Sequence, residues 1–193
     1  YVDHPAYGAA VIGRVLQAQG YKVGIIAQPD WKTTKDFMRL GRPRLCACVT
    51  AGNVDSMIAN YTANKRHRSC WRGEKGFQGA RPDRATIVYV NQLRAAFKQL
   101  PIIIGGVEAS LRRLAHYDYW DDAVRRSLLL DAKADILVYG MGERQIVDIA
   151  HRLRQGEETL AIRSIPGTVV RVNKEDVPSN ALWLSSFEET SQD

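Results

Sequence analysis

The stretch Pro101-Ile102-Ile103-Ile104-Gly105-Gly106-Val107-Glu108-Ala109-Ser110 joins a run of β-branched residues to two glycines and a polar helix start. The run is too short for a helix and too continuous for a half-exposed strand, which predicts a central parallel strand covered on both faces. Paired glycines let the backbone turn with positive φ, or approach a ligand, without a Cβ in the way. The strand is therefore expected to deliver the chain to a ligand-facing edge.

Working outward from this strand, the preceding segment starts a helix at Pro82-Asp83 with an apolar stripe of Ile87, Val90, Leu93, Phe97 and Leu100, leaving Arg94 and Lys98 to water. After the glycines, residues 108–114 are expected to form a short helix whose first-turn carboxylate, Glu108, complements the helix dipole. His116-Tyr117-Asp118-Tyr119-Trp120-Asp121-Asp122 is the densest group of functional side chains, and Asp121 and Asp122 are placed to cap a helix ending near Leu130. The spacing of His116 and Asp118 does not by itself support a metal site. Residues 134–139 read as the next strand and end in Gly140-Met141-Gly142-Glu143-Arg144. An amphipathic helix follows, with Ile146, Ile149, Ala150 and Leu153 inward and Gly156 closing it. Residues 162–165 and 168–172 suggest a hairpin or two edge strands, and the polar tail from Asn173 reads as a linker towards another domain.

The N-terminal part follows the same alternation. Val11, Ile12, Val15 and Leu16 recur at helical spacing before Gly20, and residues 23–27 read as a buried strand ending in Gln28-Pro29-Asp30-Trp31. A helix so near residue 1, packed on a parallel sheet, lacks the strand that ought to feed it, so a first strand is expected upstream of Tyr1. Residues 45–50 are a further strand, whose geometry points Cys46 and Cys48 to one face. Two thiols without a matching Cys or His pair do not complete a metal site, and they are expected to be buried and inert. Thr50-Ala51-Gly52-Asn53 closes that strand, and residues 54–61 read as a short helix.

Composition sets the outer bounds. With 193 residues, 45% apolar and 25% charged, the chain suits one globular domain. No apolar segment approaches the ~20 residues that span a bilayer, and no signal sequence opens the chain, so a cytoplasmic protein without membrane partners is expected. Three cysteines, Cys46, Cys48 and Cys70, suit a reducing compartment better than a disulfide framework. The absence of an initiator Met suggests a fragment. Of the net charge of +6, most lies in residues 65–84, where Lys65, Arg66, Arg68, Arg72, Lys75, Arg81 and Arg84 face only Glu74 and Asp83. This segment is read as a long excursion with little regular structure. In functional terms it is a candidate RNA or polyanion contact through Lys65, Arg66, Arg68 and Arg72, with Trp71 and Phe77 as stacking groups.

Strands alternating with helices at this spacing predict an open, parallel, doubly wound α/β sheet, of the Rossmann-like or flavodoxin-like kind. Its strand ends would gather Asp30 and Trp31, then Thr50, Gly52 and Asn53, then Gly105, Gly106, Glu108 and Ser110, then Gly140, Gly142 and Glu143. Open α/β sheets bind ligands at that edge, near a topological switch point. No Gly-x-Gly-x-x-Gly, Walker pattern, nucleophile elbow or Ser/His/Asp set is present, so no residue is assigned a catalytic role. The expected division is a Rossmann-like domain over residues 1–172, with a basic insertion at about 62–82, and a linker over 173–193.

Several blocks carry a resemblance: Tyr1-Val2-Asp3-His4-Pro5, residues 23–31, Arg81-Pro82-Asp83-Arg84-Ala85-Thr86, residues 105–120 and Lys133-Ala134-Asp135-Ile136-Leu137. Together they resemble the N-terminal region of YgiQ-type radical-SAM proteins, a cobalamin-binding-like domain, over nearly all of the chain. The resemblance implies a Rossmann-like domain fused to a downstream barrel that binds a 4Fe-4S cluster and S-adenosylmethionine and acts on a substrate it does not identify. The cluster needs three thiolates at Cys-x-x-x-Cys-x-x-Cys, a spacing this chain lacks, so the cluster is expected elsewhere in the parent protein. Cobalamin domains that ligate cobalt use Asp-x-His-x-x-Gly. Here Asp3 and His4 are adjacent, so cobalamin would bind only without a histidine ligand.

Overall fold

The computed structural model describes residues 7–68 and 81–192. Its centre is a four-stranded sheet ordered β1-β2-β5-β6, built from β1 (Ala47–Val49), β2 (Ile102–Ile104), β5 (Ile136–Val138) and β6 (Thr168–Val170). The first three strands are parallel and β6 runs antiparallel to β5. All three isoleucines of β2 and all three residues of β5 are buried, as the continuous apolar runs require. Ile102, Ile104, Val49 and Leu137 face α4 (Ala85–Ala96) through Val90, Leu93 and Phe97, and Phe37 of α2 (Lys35–Met38) joins them. Ile103, Ile136 and Val138 face the other way, onto Ile146, Ile149 and Ala150 of α7 (Glu143–Arg154) and Leu16 of α1 (Gly8–Ala18). The result is an α/β sheet with helices on both faces, as expected.

Several elements depart from the sequence reading. Residues 23–27 form no strand, and among the described residues none forms a backbone–backbone hydrogen bond with them. Nor do Asp121 and Asp122 cap a helix. The chain folds there into an antiparallel hairpin of β3 (His116–Asp118) and β4 (Ala123–Arg125), and Ser127 caps the one-turn α6 (Leu128–Asp131) by accepting from Leu129 N. The hairpin wins because Asp118 accepts from the N–H groups of Trp120 and Asp121, closing the turn, while Asp121 pairs with Arg84 and Arg125. Asp122 occupies the left-handed region (φ 53°) and accepts from the Tyr117 hydroxyl. Arg94 does not face water: it donates to the carbonyls of Leu100 and Lys133 and pairs with Asp135 at 2.8 Å, tying α4 to the start of β5. Of the residues 162–172, only β6 is a strand, while Ile162 and Ile165 are buried outside regular structure. The tail carries a 3-10 turn at Lys174–Asp176 and a short α8 (Phe187–Thr190) that lies against β4.

Cys48 is exposed and Cys46 half-buried, so the expected buried pair is only partly so. Their thiols are hydrogen-bonded, which lowers the Cys46 thiol and raises Cys48. The turn-rich start at residues 1–6, with Asp3 and His4, and residues 69–80 of the basic segment, including Cys70, Trp71, Arg72 and Phe77, lie outside the described residues.

Candidate functional site

The C-terminal ends of β1, β2 and β5 converge because the strands are parallel. Gly105 N donates to Val49 O at 3.0 Å, extending the ladder one step past β2. Gly106 then takes φ +84°, and a Cβ at that position would lie 2.4 Å from Thr50 Oγ1. Only glycine satisfies both demands. Thr50 Oγ1 accepts from Gly52 N at 3.3 Å, which folds the loop after β1 back on itself. On the other side, Ser110 of α5 (Gly106–Leu111) donates to Gly106 O at 2.8 Å and accepts from Gly140 N at 3.1 Å. One hydroxyl thus joins the loops after β2 and β5. Thr50, Gly52, Gly105, Gly106, Ser110 and Gly140 are brought together at this edge. Asn53 is exposed at the end of the Thr50 loop, and Gly142 and Glu143 open α7.

Asp30 and Trp31 are anchored towards α2 and α4. Asp36 accepts from Asp30 N at 2.7 Å, and Gln92 Nε2 donates to Trp31 O at 2.8 Å, while the indole packs on the core beside α4. Glu108 points inward. It is 2% exposed, and its two carboxylate oxygens accept from Ser56 N at 2.7 Å and Thr86 N at 3.0 Å, in the first turns of α3 (Ser56–Asn60) and α4. Helix starts leave N–H groups unpaired and carry partial positive charge, so one carboxylate serves two helices at once. The neighbouring Asp55 caps α3 through Met57 N and Ile58 N and pairs with Arg112, and Ser56 Oγ accepts from Ala85 N.

A second polar group lies beside this joint. Arg84, in the left-handed region at the start of α4 (φ 50°), pairs with Asp118 at 2.9 Å and Asp121 at 2.7 Å. Burial alone would raise the Asp118 carboxyl, but Arg84 and the N–H groups of Trp120 and Asp121 outweigh it, holding the group below the usual carboxylate range. Asp118 is therefore already paired, and no group of three or more metal-ligating side chains occurs among the described residues. His116 turns Nδ1 towards Leu114 O.

Of the basic candidates, Lys65 lies 4.8 Å above the Tyr119 ring and donates to Trp120 O. Arg66 is exposed, and Arg68 donates to the carbonyls of Ile58 and Tyr61. The aromatic neighbours of this group, Tyr119 and Trp120, come from the β3–β4 turn, more than fifty residues away. Sequence order could not bring them to Lys65.

The edge carries one further feature that the sequence reading did not single out. Val107, Leu111 and Leu114 recur along α5 and just past it at helical spacing, yet all three are exposed, Leu111 at 60%. Met141, next to the Gly140 that Ser110 holds, is 83% exposed. The spacing alone contained this signal, but only the structure shows that the stripe faces outward.

The family described as Radical SAM N-terminal matches residues 1–193. A UPF0313 protein of Methanocella arvoryzae is 56% identical over 194 residues, covering 100% of this chain and 32% of the relative. A UPF0313 protein of Clostridium perfringens is 53% identical, covering 100% and 30%. The UPF0313 protein YgiQ of Escherichia coli K12 is 56% identical over 180 residues, covering 92% and 24%. The chain thus spans about a third or less of the length of these relatives. Among solved structures, the radical S-adenosylmethionine methyltransferase TsrM from Kitasatospora setae, with tryptophan and a SAM analogue bound, superposes with a TM-score of 0.58. It is 20% identical and covers 89% of this chain and 26% of its own, which is a likeness of fold.

Exchanging Glu108 for Gln keeps the shape but presents an amide NH2 to one of the two N–H donors. Hydrogen bonds to charged groups contribute about 1.5–3 kcal/mol, so E108Q is expected to lower stability by about 2 kcal/mol in denaturant titrations. Gly106→Val, which strains the backbone by about 1–2 kcal/mol and displaces Thr50, is expected to disturb the edge while leaving unfolding cooperative. An E108Q midpoint equal to that of the parent would show that the carboxylate is not the joint.

Proposed function

Because the chain belongs to the Radical SAM N-terminal family, we propose that it is the non-catalytic docking and ligand-binding domain of a radical-SAM enzyme whose 4Fe-4S cluster and S-adenosylmethionine are held elsewhere in the polypeptide. The donor set of this chain does not fit the cluster. Cys46 and Cys48 stand two residues apart on one strand and Cys70 is far removed in sequence, whereas three thiolates at Cys-x-x-x-Cys-x-x-Cys are needed to leave one iron open. No chemical step is therefore assigned to residues 1–193.

The observation that carries the docking role is the apolar stripe of Val107, Leu111 and Leu114, with Met141 beside it, on the glycine edge. An exposed apolar face rimmed by polar groups marks an interaction surface. Its occupant is assigned to the downstream part of the same polypeptide, since relatives of this chain are roughly three times its length. The glycines at 105, 106 and 140 let that partner approach the backbone closely. In the whole polypeptide, Leu111→Glu is expected to speed proteolytic cleavage beyond Asp193 by about tenfold or more and to lower reductive release of 5′-deoxyadenosine from S-adenosylmethionine. Unchanged cleavage and unchanged release would overturn the docking role. Release of 5′-deoxyadenosine by residues 1–193 alone would overturn the division of labour.

A second reading is favoured by the placement of Lys65 beside Tyr119 and Trp120, with the exposed Arg66 next to it in sequence, a basic and aromatic group suited to single-stranded RNA. Each phosphate contact on a single strand contributes about 0.7 to the slope of log K against log salt. The double substitution K65A/R66A in the whole polypeptide is expected to reduce that slope by about 1.4, as read by anisotropy of a labelled oligouridylate. A slope that does not change removes this reading.

A further inference from the structure

Two thiols stand together on one face of β1. Side chains alternate along a strand, so Ala47 and Val49 go to the face covered by α4, and Cys46 and Cys48 go to the opposite face. On that face Ile103, the register partner of Cys48, is 2% exposed in the cluster formed with α1 and α7. Cys46 packs at the margin of the same cluster, whereas Cys48 is exposed. Among the described residues, the helical cover therefore ends between β2 and β1. The two thiols meet there and are hydrogen-bonded to each other.

Strand geometry decides what such a pair can do. A rise of about 3.3 Å per residue separates the Cβ atoms of residues i and i+2 by about 6.6 Å. A disulfide needs them at about 3.5–4.5 Å. Closing one would pull β1 out of its register with β2, in which Ala47 faces Ile102 and Val49 faces Ile104. A bridging ion makes no such demand, because two metal–thiolate bonds of about 2.3 Å each span sulfurs up to about 4.6 Å apart. Thiols close enough to hydrogen-bond fall within that reach without any movement of the strand.

The donor set then selects the ion. Structural zinc sites close with four ligands, and no group of three or more metal-ligating side chains occurs among the described residues. Calcium and magnesium take oxygen ligands. Soft thiolates with no other donor favour copper(I), a closed-shell ion that accepts two sulfurs in line. We propose that Cys46 and Cys48 form a two-thiolate site for a soft monovalent ion of the copper(I) class, on the face of β1 opposite α4. Each thiol gives its proton to solvent as its sulfur–metal bond forms. One ion thus displaces two protons and leaves a bis-thiolate complex of charge −1, with no change of oxidation state. The site uses neither the apolar face of α5 nor the group around Lys65, so it stands or falls apart from both readings of function.

The test follows both cysteines in the whole polypeptide carrying Cys70→Ser, by iodoacetamide labelling read peptide by peptide in a mass spectrometer. Copper(I) is held at fixed free concentrations by a chelator in the absence of oxygen. Cys48 is expected to label without metal, and labelling of Cys46 and Cys48 is expected to fall together as copper(I) rises. Zinc(II) at the same free concentrations should leave labelling unchanged. A second thiolate on the same strand acts at high effective concentration, so Cys46→Ser is expected to raise the copper(I) needed to protect Cys48 by about 100-fold. Labelling that copper(I) does not slow would overturn the proposal, as would undiminished protection of Cys48 in Cys46→Ser. Equal protection by zinc(II) would overturn it in favour of a larger ligand set. Cys48 that resists labelling before metal is added would overturn it as well, in favour of a disulfide where the peptide is two hydrogens lighter and of cover by another segment where it is not. The comparison of copper(I), zinc(II) and no metal uses the unaltered pair, so it decides even where Cys46→Ser fails to fold.

Discussion

The Glu108 carboxylate fixes the relation between the sheet edge and two of the helices around it. It sits in α5, directly after the strand and glycines that organise the chain, and accepts from the first turns of α3 and α4. Those N–H groups would otherwise be buried without partners, at about 1–3 kcal/mol each. Asp55, Ser56 and Arg112 complete the joint by capping α3, receiving Ala85 N and pairing across to α5. The backbone of α5, and with it Gly106 and Ser110, is held in register with Thr50 and Gly140 by this network. A precise edge needs a rigid support, and here the support is polar and buried.

That arrangement divides the edge into two regions with different chemistry. Around Thr50 and Gly106 the surface is backbone and hydroxyl, with Gly52 and Gly106 in left-handed geometry. Around Val107, Leu111, Leu114 and Met141 it is apolar and exposed. The β3–β4 hairpin is fastened to the start of α4 by Arg84, which pairs with Asp118 and Asp121. Asp118 is buried, so removing Arg84 would strand a charge, which is why a hairpin so rich in functional side chains is structural at its root, while Tyr117, Tyr119, Asp121 and Asp122 are exposed.

The parts of this fold that were legible in the sequence were those decided by local pattern. Ile102–Ile104 and Ile136–Val138 are apolar without interruption and became central strands, and the stripe of α7 became buried where its period put it. What escaped was decided by partners far away in the chain. Glu108 reads locally as a first-turn acid of its own helix, but its donors lie 52 and 22 residues away. Asp121 and Asp122 have the composition of a cap, and only Arg84 and Arg125 make them part of a hairpin. Residues 23–27 have strand composition without a described strand to pair with, and α2, only four residues long, has too little periodicity to detect. The candidate site was legible as a set of glycine loops, whereas its apolar rim needed the knowledge of which way α5 faces.

The central claim is that the glycine edge is a wall covered by the rest of the polypeptide, with the radical chemistry carried beyond residue 193. Amide hydrogen exchange across Gly105–Leu111 and Gly140–Glu143 tests it most directly, measured on the whole polypeptide before and after proteolytic severing past Asp193. Exchange in both loops should be slow in the intact protein and accelerate on severing, while β2 and β5 stay protected. Equal exchange before and after severing would contradict the account and leave the glycines as turn residues only.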